Sequence, residues 1–112
     1  MAAAAIKLLT LSVVATAALT QNRAVTGLGA IPAAGARCMG FADTSAAIGE
    51  RVSVGALGTT IAEAGAAFAA DTALELDASG RVIAKAAGVA VARALVVAAA
   101  AGQMVEILLI PN

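Results

Sequence analysis

Histidine, tryptophan and tyrosine are missing from this 112-residue sequence, which also holds only two phenylalanines, two prolines and one cysteine. Without histidine there is no imidazole to act as base, triad member or metal ligand. Two phenylalanines do not make a stacking platform for single-stranded nucleic acid. Charged residues form 12% of the chain, against roughly 25% in an ordinary soluble domain. Seven basic side chains balance seven acidic ones, so no excess charge is available for a nucleic-acid-binding stripe. Cys38 is alone, which excludes a disulfide within the chain. Its setting, Arg37-Cys38-Met39-Gly40-Phe41, reads as a buried, inert thiol in a reducing compartment.

What is present is small and apolar. Hydrophobic residues make up 62% of the chain, and 34 residues are alanine. One domain over residues 1–112 suits this length. A folded monomer of this size exposes roughly 5,500 Å². Fourteen charged side chains cannot keep such an area free of large apolar patches, and zero net charge gives copies little reason to stay apart. Much of the surface is therefore expected to be covered by more protein.

The chain aligns with itself. At an offset of 49, residues 17–25 fall on 66–74. At an offset of 53, residues 46–54 fall on 99–107, and Gly49 meets Gly102. Residues 6–57 and 58–110 read as two copies of one unit, with approximate two-fold symmetry inside a single domain. Period-two alternation and turn residues predict strands over 7–12, 23–26, 36–42, 51–57, 59–64, 72–76, 81–85, 88–97 and 104–110. Gly58 reads as a bulge or corner, and Asp77-Ala78-Ser79-Gly80 as a hairpin turn. Alanine favours helix, so 13–21, 62–71 and 94–101 are expected to supply one or two short helices or tight alanine-rich connections. The predicted fold is mainly β, a small sandwich or barrel built from two similar halves. The N-terminus has a rival reading as a secretory signal, with Lys7 as its basic region, 8–14 as its apolar region and Ala15-Thr16-Ala17 as the cleavage site. The copy of 8–13 at 57–62 favours a strand instead.

A search for chemistry returns little. Asp43 with Glu50, or Glu75 with Asp77, has the spacing of a carboxylate pair, but a solvated rim explains both. Gly27-Leu28-Gly29-Ala30-Ile31-Pro32 begins like a dinucleotide fingerprint, then lacks the third glycine and meets a proline. The serines have no histidine partner. No enzyme, cofactor or metal is expected, nor binding to nucleic acid or membrane.

The segment Gly35-Ala36-Arg37-Cys38-Met39-Gly40-Phe41-Ala42-Asp43-Thr44-Ser45-Ala46-Ala47-Ile48-Gly49-Glu50-Arg51-Val52-Ser53-Val54 resembles the small capsid cement, or head decoration, proteins of tailed bacteriophages. Ala70-Asp71, Asp77-Ala78-Ser79-Gly80-Arg81, Gly88-Val89-Ala90, Ala94-Leu95 and Val105-Glu106-Ile107-Leu108-Leu109-Ile110-Pro111 extend the likeness over nearly the whole chain. The resemblance implies a virion protein, made in the host cytoplasm, that binds the outside of the expanded head and ties neighbouring major capsid proteins together. It implies a homotrimer and no catalytic residues. It also makes residues 1–6 an N-terminal arm, with Ala2, Ala3, Ala4, Ala5, Ile6 and Lys7 as candidates for binding the capsid by strand addition. The competing reading is a secreted β-domain that self-assembles as a surface layer or adhesin.

Overall fold

Strand formation follows the alternation of the sequence. In Arg51-Val52-Ser53-Val54, the two valines are buried and the arginine and serine are exposed. The structure is a computed structural model, described here over residues 5–112. Its strands are β1 (Lys7–Val14), β2 (Ala24–Val25), β3 (Gly40–Ala42), β4 (Arg51–Glu63), β5 (Ala73–Leu76), β6 (Val82–Ala84), β7 (Ala92–Ala94) and β8 (Met104–Leu109). They join in one antiparallel sheet of order β2-β3-β4-β8-β7-β5-β6, with β1 attached to β4 off that path. The sheet curls into a half-barrel within a single all-β domain.

β4 is the axis of this arrangement. Its first part pairs with β1 on one side and β3 on the other, and residues 59–63 pair with β8. Gly58 joins the two parts at φ 97°, and the β1 register slips on either side of Leu9. A Cβ at Gly58 would strike the Ile6 carbonyl, so only glycine permits this crossing.

The two halves share a register. Val13↔Val52, Leu11↔Val54 and Thr10↔Gly55 in β1·β4 have counterparts Ala62↔Val105, Thr60↔Ile107 and Thr59↔Leu108 in β4·β8. The β2·β3 pairs Ala24↔Phe41 and Val25↔Gly40 likewise match Ala73↔Arg93 and Leu74↔Ala92 in β5·β7. The second of these matches carries an offset of 52 on the β3/β7 side. The turn after Ala98 thus holds one residue more than the turn after Ala46.

Among the described residues there is no helix, which corrects the expectation for 13–21, 62–71 and 94–101. These stretches are tight corners. Ala15 and Ala64 are buried, and bridges Leu19↔Ala46 and Phe68↔Ala98 tie the corners together in pairs. Asn22 and Asp71 then turn the chain at φ 66° and 63°. Left-handed backbone cannot continue a right-handed helix, and Asn and Asp tolerate it better than other side chains. Burial of the corner side chains outweighs alanine's helix propensity, a preference of only some tenths of a kcal/mol per residue.

The core is divided unequally. The larger cluster includes Phe41, Phe68, Leu74, Leu76, Val91 and Ile107. The smaller consists of Ala15, Leu19, Val25, Ala42, Ala46, Val52 and Val54. Most of the large side chains therefore gather under the second half of the sequence.

Candidate functional site

Each carboxylate with a role in the described residues has a local one. Asp43 pairs with Lys7 at 2.5 Å, and Glu50 accepts the Ala47 N–H at 2.6 Å. Asp77 takes the N–H groups of Ser79 and Arg81 and pairs with the Arg81 side chain. Glu63 receives a two-toothed contact from Arg23. Glu75 accepts the backbone N–H groups of Ala86 and Gly88, which hold its carboxyl below the usual carboxylate range. Asp43 and Glu50 thus serve separate partners, as do Glu75 and Asp77. Among the described residues no group of three acidic or thiol side chains is placed to hold a metal ion.

Cys38 sits beside a shallow cavity of about 270 Å³ lined by Leu11, Met39, Ala56, Leu109 and Pro111. Burial pushes its thiol up to about 12, opposed by a hydrogen bond with the Asn112 side chain. Cys38 as a whole is half-buried, and its thiol is held protonated at neutral pH.

The unusual surface is β1. Every residue from Lys7 to Val14 is exposed except Val13, which is half-buried. Leu8 is 74% exposed, and Leu9, Leu11 and Val14 are also open to solvent. One edge of β1 pairs with β4. Ser53 turns its carbonyl away from β1, to the Asp43 N–H, so alternation directs Val52 and Val54 towards β1 and bonds them to Val13 and Leu11. The N–H and C=O groups of Thr10 and Ser12 consequently point off the other edge of the sheet. Leu28, 81% exposed, extends the apolar strip, because the Thr16 N–H and hydroxyl bond the carbonyls of Gly29 and Leu28 just past the end of β1.

The candidate arm divides at this strand. Ala2, Ala3 and Ala4 lie outside the described residues, and Ala5 is exposed. Ile6 is held to the fold: its carbonyl accepts the Thr59 N–H at 2.9 Å, and its N–H donates to the Thr59 hydroxyl at 2.8 Å. Lys7 belongs to β1, lies over Gly55 and is engaged by Asp43. The open edge of β1 was not singled out from sequence. Its one signal there is a strand without charge from Leu8 to Val14.

Comparison with curated proteins gives no match. Among solved structures the fold is similar to the head fiber gp8.5 N base of bacteriophage phi29, with a TM-score of 0.75 and 16% identity over 91% of this chain and 93% of that one. A family model described as phage cement protein matches residues 4–109. Nearly the whole chain is spanned by that match, and the chain therefore belongs to the phage cement proteins, structural components of the phage virion.

Proposed function

We propose that the protein binds the outer surface of the expanded phage head and cements neighbouring major capsid proteins, acting as a homotrimer made in the host cytoplasm. The family match over residues 4–109 carries this reading. The role is structural and not enzymatic, in keeping with carboxylates engaged by their own backbone and arginines. Binding rests on buried apolar area, since the chain offers no net charge for steering. Many modest contacts across a shell add up to a strong restraint on it.

The arm formed by Ala2, Ala3, Ala4 and Ala5, leading from Ile6 and Lys7, is the segment assigned to the capsid. It adds a short extended strand to a capsid sheet, and alanine's small side chain lets the two backbones approach closely. The test is co-sedimentation with expanded and unexpanded heads that lack the protein. Saturable binding to expanded heads only, reduced at least about tenfold by deletion of residues 2–5, is the expected result. Absence of binding to either form would refute the reading and favour the self-assembling surface layer.

A further inference from the structure

We infer that the open edge and exposed leucines of β1 are covered by a second copy of this chain. The inference rests on the cement reading for its setting but concerns a different surface from the arm. Its starting point is the contrast between two equivalent threonines. Thr59, on the outer edge of β4, donates its N–H to Ile6 and accepts the Ile6 N–H on its hydroxyl. Thr10 holds the same place in the first half, opposite Gly55 as Thr59 is opposite Leu108. Among the described residues no backbone bond reaches its outer side. The second half thus displays the kind of partner such an edge takes, an extended peptide, and the first half lacks one.

Other strand edges are occupied. The Ala24 N–H of β2 donates to the Gly80 carbonyl, and Val82 of β6 accepts from Gly65. Glu63, at the end of β4, donates to Asn22. β1 is the long exception among the described residues. Past Lys7 and the register slip at Leu9 it carries little that keeps strand edges apart: from Thr10 to Val14 there is no charge and no proline, and among the described residues no loop bonds its outer side until Gly29.

Timing selects the occupant. The chain has no net charge and must stay soluble between synthesis and its meeting with a finished head. A strand apolar on both faces with a free edge is an aggregation template during that interval. Another copy of the chain is at hand from the moment of synthesis, before any finished head is met. Leu8, Leu9, Leu11, Val14 and Leu57 are exposed side by side, an apolar patch on the order of a few hundred Å², the size at which such surface marks a protein contact.

The experiment is sedimentation velocity on the full chain at micromolar concentration, with the variants Thr10→Pro and Leu8→Glu. Proline at position 10 removes an outward N–H and leaves the β1·β4 bonds in place. Leu8→Glu puts a charge on the strip at a side chain that touches little besides Gly58. The wild type is expected to be oligomeric, and each variant to self-associate at least about 100-fold more weakly with an unchanged circular dichroism spectrum. Should Thr10→Pro lose its spectrum, Leu8→Glu decides alone. A monomeric wild type, or a Leu8→Glu oligomer as stable as wild type, overturns the inference. A monomer that still binds heads would make the capsid the occupant, refuting the homotrimer and leaving capsid binding intact. An oligomer that β1 holds together but that binds no head would refute the cement reading and leave this inference standing.

Discussion

β1 and residues 59–63 of β4 are the same strand in two settings. Each pairs with its partner in the same register, each carries a threonine at the matching place (Thr10 and Thr59), and each leads into a corner closed by a left-handed residue. Yet β1 is exposed along nearly its whole length, whereas Thr60 and Ala62 are buried. The difference lies in what the chain places around them. The second half has the β5–β6 hairpin, most of the large cluster, and Ile6 on its outer edge. The first half has the loop 26–39 in place of that hairpin and a small cluster of mostly alanine and valine. One strand pattern therefore serves as interior in one half and as interface in the other, and neighbouring structure decides which.

Matched substitutions test this comparison, and buried charge is the harshest. Val54 and Ile107 occupy equivalent positions, and both are fully buried. Ile107→Asp is expected to cost several kcal/mol and abolish folding, because the carboxylate enters the larger cluster with no partner. Val54→Asp enters the smaller cluster, built mostly of alanine and valine, and is expected to cost less. Urea denaturation of both would reveal it, and equal losses would mean that the two clusters act as one core.

The turns come next in size. Asn22 and Asp71 have matching left-handed backbones, and each donates its N–H to an equivalent strand end, Ala42 and Ala94. Alanine at either place is expected to cost about 1 kcal/mol. A much larger loss at Asn22 would show that its contact with Met104 Sδ, 3.6 Å away, helps join the halves.

The strands were the legible part of the fold. The alternation in Arg51-Val52-Ser53-Val54 and Val105-Glu106-Ile107 reports one buried face directly, and Gly58 marks the bulge it makes. The ends of the short strands were not legible. Residues 88–97 read as one strand, but only Ala92–Ala94 pair, since Glu75 captures the loop at Ala86 and Gly88 from across the sheet. The corners misled for a similar reason: alanine favours helix locally, and its burial at Ala15 and Ala64 depends on residues over thirty positions away. The exposure of β1 was hidden because edge position is a property of topology. Leu8, Leu9 and Leu11 read the same whether a neighbour is present or not.

The smallest contrast appears only in acid. Thr26 and Glu75 are equivalent under the offset of 49, and both anchor the loop that follows. Thr26 Oγ1 accepts N–H groups from Leu28 and Ala30, while the Glu75 carboxylate accepts those of Ala86 and Gly88. The folded state lowers the pKa of Glu75. Its contribution to stability is therefore complete above the ordinary carboxylate value and fades as pH falls through the lowered folded value. Glu75→Gln keeps an acceptor oxygen, so it is expected to melt close to wild type at neutral pH and to lose less on acidification. Thermal melts over the acid range would check this, and parallel pH curves for the two proteins would remove Glu75 from the account.

β4 runs unbroken from Arg51 to Glu63 and serves both halves. Its first part is bound to β1 and β3, and its last part to β8. Neither half can open by itself, because loosening one withdraws a strand from the other. The opening free energies of the two clusters are thereby linked, and partial unfolding is raised towards the cost of unfolding the whole. For a component of a shell this means all-or-none behaviour: a subunit is either fully folded and holding, or gone.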